Sequence, residues 1–82
     1  MRKNSAESVF ETQMMQMGYG VSKRGWPDFL CYKDGKVICV EVKPSSTHNP
    51  SRPQKIVMSM LVKHGIECYL WSPDSGLVQV TE

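Results

Sequence analysis

Three residues in the middle of the chain have side chains that could catalyse hydrolysis together: Asp28, Glu41 and Lys43. Carboxylate oxygens are the ligands that Mg²⁺ and Mn²⁺ prefer in proteins. A lysine ammonium group can orient a water molecule and offset negative charge on a phosphate. Each residue type is common on protein surfaces, so the chemistry depends on whether the fold brings the three together.

The segment that joins these residues predicts a β-hairpin. Asp34-Gly35 is typical of a type I′ turn, and apolar runs lie on both sides of it, at Phe29–Lys33 and Lys36–Lys43. A two-residue turn pairs Lys33 with Lys36 and, further along the two strands, Asp28 with Glu41. Directly opposed residues have Cβ atoms roughly 4.5–5.5 Å apart. The hairpin therefore predicts two carboxylates facing each other.

Two facing carboxylates need a compensating positive charge. At about 5 Å they repel by roughly 3 kcal/mol at an effective dielectric constant near 20. Lys43 lies two residues beyond Glu41, on the same face of the strand, and supplies one charge. A divalent cation supplies two, so we expect an Mg²⁺ or Mn²⁺ site here. The alternative is an exposed Glu41–Lys43 ion pair with Asp28 as an ordinary turn residue, and a β-bulge would shift the register.

The elements around the hairpin predict a small α/β domain. A first helix has Asn4 as its N-cap, Glu7 at the capping-box position and an end at Gly18 and Gly20. Its apolar stripe consists of Ala6, Val9, Phe10, Met14 and Met17. A short strand is expected around Tyr19–Lys23, before the hairpin.

A second helix begins at Ser51, with Gln54 at its capping-box position and a stop at Gly65. Its apolar face consists of Ile56, Val57, Met60 and Leu61. Ile66–Trp71 predicts a strand, and Leu77–Val80 fits a further edge strand. The order is α-β-β-β-α-β, with that edge strand after it. The hairpin strands are apolar on both faces, so we expect a small mixed β-sheet with a helix on each side.

Composition limits the class of protein without choosing the function. With 82 residues and 40% hydrophobic content, residues 1–82 are expected to form a single domain with a thin stability margin. The net charge of +2 does not by itself favour nucleic acid. Cys31, Cys39 and Cys68 lack metal-site spacing and are interpreted as reduced core residues. With no signal segment or membrane span in the sequence, we expect a cytoplasmic protein.

Taken together, these motifs resemble a known nuclease family. Pro27-Asp28, twelve intervening residues and Glu41-Val42-Lys43 resemble the signature of the PD-(D/E)xK nuclease superfamily. The helical Glu7, the Gly25-Trp26-Pro27-Asp28 step and Gln54 are similar to its virus-type replication-repair nuclease (VRR-NUC) branch. The likeness runs from about Glu7 to Trp71 and implies a restriction-endonuclease-like core, in a bacterial or phage-infected cell.

The resemblance also implies roles for individual residues. Asp28, Glu41 and the main-chain carbonyl of Val42 would hold Mg²⁺ or Mn²⁺, and Lys43 would orient or activate the attacking water. Glu7 would complete the acidic site, and Gln54 would hold the active-site strand or the substrate backbone. Capping boxes alone also explain Glu7 and Gln54, so their roles stay open.

Basic residues flank the predicted site and are candidates for phosphate contacts. They are Lys23, Arg24, Arg52 and Lys55. Solvated surface charge explains them equally well. His48, in the loop beside the site, is interpreted as incidental.

The expected function is a metal-dependent, structure-selective DNA endonuclease. Since one small domain cuts one strand, a homodimer would present two sites to a two-fold substrate such as a Holliday junction. Such a protein would serve DNA repair. The main alternative is a non-catalytic nucleic-acid-binding module that retains the nuclease fold, and a second is an interaction protein in which the acids only pair with Lys43. A zinc protein fits least, because the thiols are wrongly spaced.

Overall fold

The computed structural model describes residues 5–22 and 24–81 of the chain. Its elements are α1 Ser5–Gln16, β1 Phe29–Lys33, β2 Lys36–Val42, α2 Arg52–Lys63, β3 Glu67–Ser72 and β4 Gly76–Gln79. The expected Asn4 cap and Lys23 lie outside the described residues. The described residues form an α/β fold with a mixed four-stranded sheet and two helices.

The predicted hairpin is confirmed in turn and register. Asp34 has φ 51° and Gly35 has φ 79°, the left-handed conformation that a type I′ turn requires at both central positions. The antiparallel ladder pairs Lys33 with Lys36 and Leu30 with Cys39. The ladder ends at Phe29 opposite Val40, one residue short of Asp28.

The sheet has the strand order β1-β2-β3-β4. β2 and β3 are parallel and are joined through α2, whereas β4 returns antiparallel to β3. β4 confirms the expected edge strand.

The predicted order was wrong in one element, because no strand forms at residues 19–22. The chain there runs along α2 instead, where Gly20, Val21 and Arg24 line a groove with the helix. Gly25, at φ 91°, then bends the chain toward β1. Residues 19–22 therefore lie beside the helix and add no strand to the sheet.

Helix α2 covers one face of the sheet and makes the core. Cys39 from β2, Met58 from α2 and Cys68 from β3 form its centre. The predicted apolar face of α2 was partly wrong: Val57 and Met58 are buried, whereas Ile56 and Met60 are half exposed. Those two side chains line the groove shared with residues 20–22 and Arg24.

The other side of the sheet, called the open face below, is not covered by any helix of the described chain. The exposed or partly exposed apolar side chains on it are Phe29, Cys31, Ile38, Val42, Tyr69, Trp71 and Leu77. Helix α1 packs against no strand and not against α2. The expected helix on each side of the sheet is therefore not observed among the described residues, because residues 20–22 and Arg24 lie along α2.

The cysteines divide between core and surface. Cys39 and Cys68 are buried free thiols, as expected, but Cys31 is exposed, so its assignment to the core was wrong. Burial raises the pKa of Cys68 to about 11. Among the described residues, no helix has the length and apolar character needed to cross a membrane.

Candidate active site

Strand β2 and the first turn of α2 bring three of the predicted residues into direct contact. Lys43 Nζ lies 3.3 Å from Glu41 Oε2 and donates a hydrogen bond of 2.9 Å to Gln54 Oε1. Gln54 Nε2 donates to the same Glu41 oxygen. Glu41 is only 3% exposed, so the contact is a buried, hydrogen-bonded ion pair.

The capping box of α2 fixes the orientation of Gln54. Ser51 Oγ accepts from Gln54 N at 3.3 Å, and Gln54 Oε1 accepts from Ser51 N at 2.9 Å. The same Oε1 also faces Lys43. A flipped amide would turn its NH₂ group toward both donors, so the cap orients Nε2 toward Glu41. The capping and site interpretations of Gln54 are compatible, since one side chain makes both sets of contacts.

Asp28 lies at the end of the hairpin next to this cluster. Extending the observed register by one residue puts it opposite Glu41. Its Oδ2 accepts a hydrogen bond of 3.0 Å from Val42 N, while Lys43 N bonds to Trp71 O on the β3 side. Successive amides of a strand alternate in direction, so the main-chain carbonyl of Val42 points toward the Asp28 side.

The oxygen ligands next to Lys43 are of the type that a hard divalent cation prefers. Glu41 Oε2 contacts both Lys43 and Gln54. The buried Oε1 of the same carboxylate has no hydrogen-bond partner among the described residues. A buried carboxylate oxygen without a partner costs free energy. Asp28, Glu41 and Lys43 sum to one negative charge, and the Val42 carbonyl adds another oxygen ligand.

Glu7 is not brought into this cluster. It is exposed on α1 and lines a shallow groove with Phe10, Glu11 and Val21. Within the described chain, no group of three or more His, Cys, Asp or Glu side chains is arranged to hold a metal ion. The expected third acidic ligand is therefore absent from the site, because α1 is not packed on the sheet.

Gly25 holds the Asp28 segment against α2, a role that the sequence analysis did not recognise. A Cβ at this position would lie 2.4 Å from Pro53 C and O and 2.8 Å from Gln54 N. Only glycine permits this approach, and φ of 91° independently favours it. The Gly-x-Pro-Asp sequence could have indicated this role of Gly25. The helix residue that Gly25 approaches, however, lies 28 residues further along the chain.

The candidate phosphate contacts fall on different surfaces. Arg24 and Arg52 line the same groove beside Pro53, Ile56 and Met60, adjacent to Gln54. Lys55 borders a different groove, toward Leu70 and Val80. Neither arginine has an ion-pair partner among the described side chains. The structure thus brings two of the four candidates together.

Asp74, in the turn between β3 and β4, holds the loop after Lys43 in place through hydrogen bonds. Asp74 accepts from Ser46 N at 3.0 Å and from Ser46 Oγ. Hydrogen bonds from Ser46 and then from Ser72 lower the pKa of the Asp74 carboxyl. In the same loop, Ser45 Oγ bonds to His48 Nδ1 at 2.9 Å. Ser46 and Asp74 are 28 residues apart, so no local sequence pattern indicates this contact.

Comparison of the chain with family models, with curated proteins and with solved structures gives no match.

Proposed function

We propose that this chain is a metal-dependent nuclease that hydrolyses DNA phosphodiester bonds, with Asp28, Glu41 and Lys43 as its catalytic residues. The observation that carries the proposal is the buried Glu41 carboxylate. Lys43 and Gln54 hold one of its oxygens, whereas the other lacks a partner among the described residues. A purely structural ion pair gains nothing from leaving that oxygen unsatisfied.

Mg²⁺ or Mn²⁺ would be held by Asp28, Glu41 and the Val42 carbonyl. When bound, the ion supplies a second positive charge and lowers the pKa of a bound water molecule. The resemblance to the VRR-NUC branch agrees with this assignment. A restriction-endonuclease-like core is part of the same proposal.

Lys43 acts on the phosphate side of the reaction. Its ammonium group is fixed by Gln54 Oε1 and Glu41 Oε2, so it meets a phosphate or the attacking water without further ordering. In hydrolysis the water oxygen forms a bond to phosphorus and releases a proton to solvent, the bond to the leaving sugar oxygen breaks, and that oxygen takes a proton from solvent. Gln54 is a positioning residue in this scheme, and Glu7 has no role in it.

The proposed substrate is branched DNA, with the Holliday junction as the specific candidate. A homodimer would present two equivalent sites to a two-fold junction. Arg24 and Arg52 line one groove next to the first turn of α2, where they would contact phosphates. The shared arginine groove supports phosphate binding, and we propose structure-selective cleavage in DNA repair on the basis of the resemblance.

A second candidate is a nucleic-acid-binding module without catalysis. Two observations favour this candidate. Lys43 neutralises the charge of Glu41, and no third acidic ligand lies at the site among the described residues. Such a module would bind DNA equally well with a chelator and would never cut it.

The test is cleavage of labelled four-way junctions and linear duplexes with Mg²⁺, Mn²⁺ or chelator. We expect metal-dependent cleavage by the wild type, and losses of at least about 100-fold for Lys43→Met and Glu41→Gln. Lys63→Met is the matched control, because Lys63 is exposed in the last turn of α2 and should retain activity. Calorimetric titration with Mn²⁺ should show binding that Glu41→Gln weakens. Cleavage unchanged in Lys43→Met, or no cleavage with any metal, contradicts the proposal.

A further inference from the structure

A small polar cavity lies next to Lys43, bordered by the loop that joins β2 to α2. Its volume is about 80 Å³, which is room for a few water molecules. Most of the side chains that line it can donate a hydrogen bond, namely Lys43, Ser45, Ser46, His48, Ser72 and Ser75. Of these, only Lys43 takes part in the proposed cleavage, so the hydroxyl groups and the imidazole have no role in it.

The cavity lies at the carboxyl ends of the parallel strands β2 and β3. Lys43 directly follows β2, and Ser72 is the last residue of β3. Both side chains project from the side of the sheet opposite to the open face, because side chains alternate along a strand. Ligands of open α/β sheets bind outside the carboxyl ends of the strands. The cavity therefore has the position in the fold that a ligand site normally takes.

The imidazole of His48 is fixed by Ser45. Nδ1 lies 2.9 Å from Ser45 Oγ, and His48 N donates to Ser45 O at 3.2 Å. Thr47 Oγ1 lies 2.8 Å from the same Ser45 hydroxyl and can donate to it. When that hydroxyl in turn donates to Nδ1, the neutral ring carries its proton on Nε2. Nε2 is then the donor that His48 offers to a ligand, and the ring needs little further ordering to bind one.

The charges at the cavity favour an anion. The Lys43 ammonium group is part of its lining, whereas no carboxylate of the described chain is. Two carboxylates lie nearby, but both already have donors: Glu41 contacts Lys43, and Asp74 accepts from Ser46 N and Oγ. Ser72, which is 3% exposed, adds a buried hydroxyl group to the wall. Hydrogen bonds to an ionised acceptor are stronger than those between neutral groups, so an anion gains most from these donors.

We infer that this cavity binds a phosphate group of the nucleic acid through Lys43, His48 and Ser72. The inference rests on the proposed function, because the phosphate assigned to the cavity is the neighbour, along the same strand, of the one that is cut. The volume admits one tetrahedral group and is too small for a nucleobase. A phosphate accepts several hydrogen bonds at once, which matches the several donors present. His48 is then a residue that binds the substrate rather than an incidental loop residue.

Phosphate binding is tested without metal by following both histidines of the full chain by NMR. The protein is titrated with inorganic phosphate in the presence of chelator, at constant pH and ionic strength. We expect a saturable shift of the His48 imidazole resonances and none for His64. The His64 ring is the matched control, because its Nδ1 is also hydrogen-bonded, to Met60 O at 2.9 Å, but it caps the opposite end of α2. Equal shifts of the two rings, or no shift of His48, overturn the inference.

Variants of His48 show whether its ring donates to the phosphate. His48→Ala should weaken phosphate binding, followed at the backbone amide of Ser72, by about tenfold, the loss of a hydrogen bond to a charged group. His48→Gln keeps a donor on a side chain of similar reach and should retain most of the affinity. Equal affinity of the alanine variant and the wild type overturns the role of His48.

A second titration identifies the source of the phosphate. A single-stranded oligonucleotide without terminal phosphates should shift the same His48 resonances and compete with inorganic phosphate. Binding of inorganic phosphate without binding of the oligonucleotide overturns the assignment to nucleic acid.

Cleavage kinetics separate this inference from the proposed function. His48→Ala should raise KM for DNA by about tenfold and change kcat by less than about twofold, as expected when the ground state and the transition state lose the same contact. His64→Ala should change neither constant. A fall in kcat at unchanged KM contradicts a role in strand binding. A wild type that cuts no DNA refutes the proposed function, whereas the two titrations still decide whether the cavity binds phosphate.

Discussion

The two helices of this protein differ sharply in how they meet the sheet. Helix α2 lies on β3, buries Val57 and Met58, and makes hydrogen bonds from its first turn to β2. Helix α1 has the same length, twelve residues, but packs against no strand of the described chain. One helix thus completes the core and the candidate site, while the other leaves its apolar residues exposed. Helix formation and helix packing are separate outcomes.

The difference arises in the segments that adjoin each helix. The N-terminus of α2 is tied down by the Ser51–Gln54 capping box, by the Glu41–Lys43 pair and by the close approach of Gly25. Helix α1 is followed by a stretch that runs along α2, so it is directed away from its own sheet. Polar contacts thus position α2 on the sheet, whereas α1 packs against no strand of the described chain.

Matched methionines should show the largest contrast between the two helices. Met58 is 1% exposed and Met15 is 63% exposed. Truncation of a buried methionine removes its packing and leaves a cavity, so Met58→Ala should lower the free energy of unfolding by about 3 kcal/mol. Met15→Ala should change it by less than about 0.5 kcal/mol. Urea denaturation at fixed protein concentration measures both, and equal losses would contradict the contrast.

A smaller effect is expected where the Asp28 segment meets α2. Gly25→Ala adds a Cβ against Pro53 backbone in a conformation with positive φ, and should cost about 2 kcal/mol. It should also reduce cleavage, because Asp28 and Gln54 would move apart. Gly20→Ala is the control, since a Cβ there meets no atom within 4 Å. Equal stability of the two variants would show that the contact of residue 25 with α2 does not constrain the segment.

The smallest effect concerns the pH dependence of the loop after Lys43. Hydrogen bonds from Ser46 and Ser72 lower the pKa of Asp74, so its contribution to stability is present above the unfolded-state pKa and is lost as the pH falls through the folded-state pKa. Asp74→Asn should therefore be less stable than the wild type at neutral pH, with the gap closing in acid. Thermal unfolding between neutral and acidic pH measures this. A gap that is constant with pH would exclude the carboxylate as its cause.

Much of the local structure was predictable from the sequence because its causes lie within a few residues. Asp34-Gly35 determines the hairpin turn and hence which residues of β1 and β2 face each other. Ser51 and Gln54 determine where α2 begins, since a capping box spans only four residues. The alternation of side chains along β2 places Glu41 and Lys43 on one face. These three rules locate the candidate site.

Contacts between distant segments were decided by the tertiary structure alone. That Gln54 joins Glu41 to Lys43 depends on how α2 lies across the sheet, and the approach of Gly25 to Pro53 depends on the same packing. The missing strand at 19–22 and the uncovered stripe of α1 have the same origin. Periodicity shows that a surface is apolar, but not which surface covers it, because burial free energy is non-directional.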